Sequence, residues 1–432
     1  MSPLLLIAER PEYSEVERRK LEGFPKFTLG RLFSGDFTRE LNIFYSDTIP
    51  MRDSISEASS FIKSKWGFSV DGVTIHNPTI PSSPYVPDTP SDASKPAYNA
   101  SQTDVQPETP SPPVWDGQIG DEANYVEEDN VNLSNEGVLV YKNRALMVTG
   151  WVLPAGERYA RAMNEYSRVL NNGSKEVNVY SMVAPTSIEF YCPKNYIDLY
   201  NIDQRGSINH INSFLENITP VNAYSALASR TGEDIYMRTD HHWAALGAYY
   251  AAEQFALTAG APFTPLSKYE KVTIPDYVGT MYGFSGKNPD IKNNPEDFIY
   301  YKPTNKYEVS YNIIYEGYDP EETVKASLFD ESMPLSESYG MFLGGDPRIT
   351  HITTDVDNSR VLAVLKDSYG NALIPFLTGS FKEIYVIDIR YFPYNSIDYL
   401  EGKGVTDLLF ANNIAVANDD YFINMIKGLT EK

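Results

Sequence analysis

Residues 361–371 read Val361-Leu362-Ala363-Val364-Leu365-Lys366-Asp367-Ser368-Tyr369-Gly370-Asn371. The unbroken apolar run Val361 to Leu365 predicts a strand covered on both faces, because a half-exposed strand would alternate. The polar group after it leads into a second apolar stretch, Ala372 to Leu377, which is predicted to be helical. A serine in a tight strand-to-helix turn projects its hydroxyl beyond the sheet edge. There its backbone N–H can face a developing oxyanion and the helix start favours negative charge. Ser368 or Asp367 can equally be an ordinary helix N-cap.

The same alternation recurs on either side of this stretch. Strands are predicted at Val177–Ala184, Tyr339–Leu343, Glu383–Ile389 and Asp407–Phe410. Helices are predicted where Tyr159, Met163, Tyr166 and Leu170 share one face, at Ser207–Glu216, and over the Ala-rich stretch Ala244–Leu257. Gly137–Tyr141 and Ala145–Val148 read as a hairpin across Lys142-Asn143-Arg144. Strand–helix–strand order with continuous apolar strands predicts an α/β, three-layer sandwich around a central, mainly parallel sheet. In such folds functional groups collect beyond the carboxyl ends of the strands.

A second polar turn has that placement. After the strand signal Ile235-Tyr236-Met237 comes Arg238-Thr239-Asp240-His241-His242-Trp243. In an extended segment, residues two apart point to one side, so Asp240 and His242 can act together while His241 points elsewhere. With Ser368 they supply a nucleophile, a base and an orienting carboxylate. Two other readings stay open: a capped helix with incidental histidines, and a metal site built on Asp240 and the histidines. The second lacks a His-Glu-x-x-His motif, and the chain holds only five histidines. Trp243 is expected to pack under the following helix.

Composition bounds the rest. The chain has 432 residues, 42% apolar and 22% charged, enough for one large domain or a domain with an annex. Its 58 acidic against 36 basic residues give −22, which argues against nucleic acid as a partner. One cysteine, Cys192, rules out an intrachain disulfide. The 32 tyrosines suit either sugar stacking or an aromatic core. Three segments are expected. Residues 1–76 form a lead-in with helices around Phe37–Phe44 and Arg52–Lys65. Residues 77–134 form a flexible acidic insert, with ten prolines between Pro78 and Pro113. Residues 135–432 form the catalytic domain. The early apolar run Leu4–Ala8 is too short for a signal core.

Arg238-Thr239-Asp240-His241-His242-Trp243 resembles the signature of the DHHW family, itself similar to the periplasmic alginate O-acetyltransferases and, more remotely, to SGNH hydrolases. Ser34-Gly35, Asp47–Asp53, Gly137–Val140, Phe342–Asp346 and Leu365–Asn371 resemble further blocks of that family. The resemblance implies an SGNH-like fold with Ser368 as nucleophile, His242 as base and Asp240 as its orienter. It implies a polysaccharide O-acetyltransferase working through an acetyl-serine. A carbohydrate acetylesterase with the same residues, or a non-catalytic glycan-binding scaffold, is the alternative. It also implies an extracellular or cell-surface location with an N-terminal anchor ahead of Met1, and a membrane-bound O-acyltransferase as acetyl donor. No cofactor or metal is expected. Besides the Ser368 N–H, Asn371 and the Gly344-Gly345 turn are candidates for oxyanion contacts. Arg390 and Tyr391 are candidates for the acceptor site, unless Arg390 instead pairs with Asp388.

Overall fold

A computed structural model describes residues 137–149, 153–172, 176–312 and 323–431, together with short strands at Tyr13–Ser14, Arg19–Lys20 and Val131–Leu133. The helices expected around residues 37–65 and most of the acidic stretch lie outside the described residues. Val131–Leu133 pairs antiparallel with Val138–Tyr141 (β1), which turns back into Arg144–Met147 (β2).

The core is an eight-stranded mixed sheet. Its strands are Asn178–Ala184 (β3), Thr219–Pro220 (β4), Tyr307–Asn312 (β7), Thr323–Ala326 (β8), Ile349–Thr354 (β9), Val361–Lys366 (β10), Glu383–Asp388 (β11) and Asp407–Asn413 (β12). The order is β8-β7-β9-β11-β10-β12-β3-β4. From β11 to β4 every pair is parallel, whereas β8, β7 and β9 join antiparallel, and β9 runs antiparallel to β11. The expected mainly parallel sheet is therefore parallel in only one half. The antiparallel strands alternate Tyr, Glu, Thr and Ser with apolar residues, and this two-faced pattern lacks the continuous run that marks a buried parallel strand. A separate antiparallel pair, Glu270–Tyr277 (β5) and Glu296–Lys302 (β6), was not expected either.

The central position of β10 explains its apolar run: β11 and β12 flank it and Leu362 to Lys366 are all buried. Helices cover both faces of the parallel half. Tyr166 of Leu153–Leu170 (α1) meets Phe410 of β12 edge-on at 5.1 Å. Tyr180 of β3 stands in register with Leu409, on the opposite face from Phe410, and meets Phe255 of Ala245–Thr258 at 5.3 Å. That helix is α4, after Gln204–Asn212 (α2) and Ala223–Ala228 (α3).

Local differences have local causes. Residues 339–343 form no strand. Tyr339–Met341 end a 3-10 segment, Leu335–Met341, that follows Pro334, Phe342 makes only an isolated bridge to Phe329, and the Ser338 hydroxyl donates back to Leu335 O. Met237 and its neighbours make only an isolated bridge, Tyr236 to Trp243. The helix expected to reach Glu216 stops at Asn212, where the Ser213 hydroxyl takes up His210 O. The helix expected at Ala372–Leu377 starts at Gly370 as Gly370–Leu373 (α5). It tightens to a 3-10 turn over Ile374–Leu377, where Pro375 lacks the N–H an α-helix needs. No helix among the described residues is long and apolar enough to cross a membrane.

Candidate active site

The Ser368 turn is built by its neighbours. Asp367 Oδ1 accepts from Tyr369 N at 2.8 Å, and the Gly370 and Asn371 N–H groups return to the carbonyls of Asp367 and Ser368. Asp367 Oδ2 accepts from the backbone and side-chain N–H of Asn413 at 2.8 and 3.1 Å, clamping the turn to the end of β12. A Cβ on Gly370 would sit 2.5 Å from Lys366 Cβ, so the chain can turn this tightly only with glycine there. Ser368 itself is half-buried, and its N–H donates to no group among the described residues.

The Asp240 loop is a narrow excursion closed by Ala244 N to Ile235 O and Met237 N to His242 O. The carboxylate of Glu296, at the start of β6, accepts from Arg238 N, Thr239 N and the Thr239 hydroxyl at 2.6–2.9 Å and holds the loop's first half. Trp243 is buried, as expected, and its indole N–H donates to Tyr369 O at 2.9 Å. The Tyr339 hydroxyl donates to Ser368 O at 2.9 Å. The two loops are therefore tied together by buried aromatic side chains.

Between them lies a continuous hydrogen-bond chain. Asp240 Oδ1 is 2.7 Å from His242 Nδ1, and His242 Nε2 is 2.8 Å from Ser368 Oγ. Asp240 is fully buried; Oδ1 also accepts from His242 N, and Oδ2 from the Tyr277 hydroxyl and from the N–H and hydroxyl of Thr280. Burial opposes its charge, but the His242 hydrogen bond, both imidazoles and the Thr280 N–H outweigh this and hold the carboxyl well below its usual range. An ionised Asp240 can only accept, so His242 carries its proton on Nδ1 and offers a bare Nε2 to the serine. The ring is stacked on Tyr339 at 3.6 Å with 6° between planes, and His241 lies 3.8 Å away. Two rings cannot share one face at such distances, so they sandwich the imidazole.

Gly279 completes the pocket for Asp240: a Cβ there would lie 2.5 Å from Asp240 Oδ2 and 2.7 Å from the Tyr277 hydroxyl. Tyr277, Gly279, Thr280, Glu296 and Tyr339 were not singled out from the sequence. They come from distant segments, and no spacing rule links them to Asp240.

The remaining candidates are brought near one another in a different arrangement. Lys366, fully buried, bridges Asp388 Oδ2 at 2.6 Å and Asp346 Oδ1 at 3.1 Å. Arg390 forks onto both oxygens of Asp388 at 2.7–2.8 Å and reaches Asp346 at 2.9 Å. Arg390 thus has the Asp388 pairing. Tyr391 is exposed, with the guanidinium 5.1 Å from its ring centroid. The Asn371 amide donates to Gly345 O and Asp346 Oδ1, and the N–H groups of Gly344 and Gly345 donate to Met341 O and Phe342 O. Of the oxyanion candidates, only the Ser368 N–H is unengaged.

Asp240, His241 and His242 bring one potential ligand atom each within 4.8 Å of one another. Both oxygens of Asp240 already accept from protein donors, however, and His242 Nε2 faces a hydroxyl. This donor set suits a proton relay better than a cation. A groove of about 630 Å3 on the antiparallel half of the sheet, lined in part by His351, Tyr385 and Tyr399, contains none of the three relay residues.

A family model described as DHHW protein matches residues 120–387. A solved DHHW family protein from Eubacterium siraeum DSM 15702 is 39% identical, with a TM-score of 0.63 over 70% of this chain and 98% of that one. Bacillus cereus PatB1, solved with a sulfonyl adduct, is 19% identical, with a TM-score of 0.55 over 66% of this chain and 96% of that one. That likeness concerns the fold. The O-acetyltransferase domain of Pseudomonas putida AlgJ stands further off, at 13% identity and a TM-score of 0.36 over 69% of this chain and 98% of that one. Among curated proteins nothing matches.

Proposed function

The chain belongs to the DHHW family, and from that premise we propose that it is a serine-dependent O-acetyltransferase with an SGNH hydrolase-like fold. It moves acetyl groups onto hydroxyls of an extracellular polysaccharide. The observation that carries the reading is the unbroken relay from Asp240 through His242 to Ser368, at 2.7 and 2.8 Å, beside an unengaged Ser368 N–H.

In the first half-reaction Ser368 Oγ attacks the acetyl carbonyl and its proton passes to His242 Nε2. The oxyanion forms next to the Ser368 N–H. The intermediate collapses, the donor's leaving group takes the proton from Nε2, and acetyl-serine remains. In the second half a sugar hydroxyl gives its proton to the same Nε2 and attacks the acetyl-serine. Collapse frees Ser368 Oγ, which takes the proton back. Asp240 holds the imidazole in the Nδ1–H form and stabilises it when charged. The acetyl donor is a membrane-bound O-acyltransferase, and the protein works outside the cytoplasmic membrane. If water replaces the sugar, the same residues make an esterase.

The test is covalent labelling. PatB1 was solved with a sulfonyl adduct, and phenylmethylsulfonyl fluoride and p-nitrophenyl acetate are the probes. Peptide mass spectrometry is expected to find both labels on Ser368 in the native chain. Neither should appear in Ser368→Ala or His242→Ala chains that melt at the native temperature. Absence of label from the native chain overturns the proposal.

A further inference from the structure

The Asp240-His241-His242 motif holds two imidazoles, and the proposed chemistry uses one. The other is fixed by a single hydroxyl. Thr280 Oγ1 lies 2.9 Å from Asp240 Oδ2 and 2.8 Å from His241 Nδ1, and it has one hydrogen. Two oxygens 2.9 Å apart, one of them on an ionised carboxylate, attract only with that hydrogen between them. Thr280 therefore donates to Asp240, and its oxygen accepts from His241. His241 is protonated on Nδ1, and its Nε2 is bare. Asp240 thus orients both imidazoles, one directly and one through Thr280.

The His241 ring touches His242, retains a quarter of its side-chain surface, and makes its ring hydrogen bond at Nδ1, with none at Nε2 among the described residues. Burial and the neighbouring His242 keep it neutral at pH 7. A neutral, partly exposed ring whose Nε2 lone pair has no partner recognises a donor. Beside a serine that hands an acyl group to a hydroxyl, the donors arriving in quantity are the other hydroxyls of the same sugar. We propose that His241 Nε2 accepts a hydrogen bond from a hydroxyl of the carbohydrate acceptor next to the one that is acylated, so that His241 positions the acceptor at Ser368. This rests on the acyl-transfer reading above.

Two measurements test it. Nitrogen-15 spectra of the native chain should show Nε2 of His241 as an unprotonated ring nitrogen; a protonated Nε2 overturns the proposal whatever the activity. The chain is then acetylated with p-nitrophenyl acetate, and the acyl group is partitioned between water and cellohexaose or chitohexaose. His241→Ala is expected to lower the ratio of transfer to hydrolysis at least tenfold, through a raised acceptor KM. His241→Gln, whose amide oxygen reaches the Nε2 position, should recover part of the loss. An unchanged ratio in His241→Ala overturns the inference and leaves the acyl-transfer reading standing. A native acetyl-serine that only water discharges overturns the inference and makes the protein an esterase rather than a transferase. A native chain that forms no acetyl-serine overturns both.

Discussion

Replacing Asp240 by Asn alters the tautomer of a ring it touches. Oδ2 of Asp240 accepts from Tyr277 and twice from Thr280, while Oδ1 accepts from Nδ1 and the backbone N–H of His242. An amide has one oxygen. At the Oδ2 position it serves three donors and turns its NH2 toward His242. The imidazole accommodates this by moving its proton to Nε2, so that Nδ1 can accept. The Nε2–H then points at Ser368 Oγ across the same 2.8 Å and cannot take the serine proton. Leaving a triad imidazole in the wrong tautomer costs about 10,000-fold in kcat, or about 5.4 kcal/mol of barrier. The stability loss is smaller, about 1–3 kcal/mol, because the His242 backbone N–H loses its acceptor. The assay is the burst and steady-state release of nitrophenol from p-nitrophenyl acetate, with thermal melting as the folding control. A folded Asp240→Asn chain that keeps its rate within tenfold of native refutes the orienting role.

Gly279→Ala should destabilise the fold by about 1–3 kcal/mol and slow ester turnover, because the new methyl lies 2.5–2.7 Å from Asp240 and Tyr277. A native urea midpoint would refute the close approach. Lys366→Met leaves the fully buried Asp388 and the half-buried Asp346 with Arg390 as their remaining shared cation, at a cost of about 3 kcal/mol. Adding Asp388→Asn should recover part of that in the same denaturation experiment. His241 is pushed down to about 3 by burial and by its neighbour His242, whereas a free imidazole titrates near about 6.5. Between those values the unfolded chain binds a proton that the folded chain does not, so stability falls as pH is lowered from about 6.5 toward 3, by up to about 1.4 kcal/mol per pH unit. His241→Asn should flatten the urea midpoint over pH 4–6 relative to the native chain, and identical slopes would refute the burial argument.

Periodicity alone made the parallel half of the sheet readable. Val361–Leu365 and Ile384–Ile387 are almost wholly apolar because strands lie on either side of them and helices cover the parallel half on both faces. The alternation expected along an extended segment did not form: residues 238–242 bend, Asp240 and His242 meet because the His242 N–H and Nδ1 both reach Asp240 Oδ1, and His241, expected to point elsewhere, packs on His242. The antiparallel strands were opaque for the converse reason: Tyr307-Glu308-Val309-Ser310-Tyr311-Asn312 shows two different faces to its surroundings and resembles a polar loop. The surroundings of Asp240 were opaque in another way. Tyr277 and Thr280 reach it across about forty positions of chain, and Tyr339 comes from about a hundred away, through packing that no local pattern encodes. Arg390 could be read as an acceptor contact or as a partner of Asp388, and its fork onto that carboxylate was undecidable until both were seen at the end of β11.

The ring of His242 lies pinned between Tyr339 and His241, with Asp240 at one edge and Ser368 at the other. A pinned ring cannot step aside while two reactants queue. In the acyl transfer proposed above, donor and acceptor would both use the same Ser368 Oγ and His242 Nε2, so each would occupy them in turn. Such traffic has a kinetic signature of its own: parallel lines in double-reciprocal plots, and self-defeating excess of whichever reactant arrives out of turn.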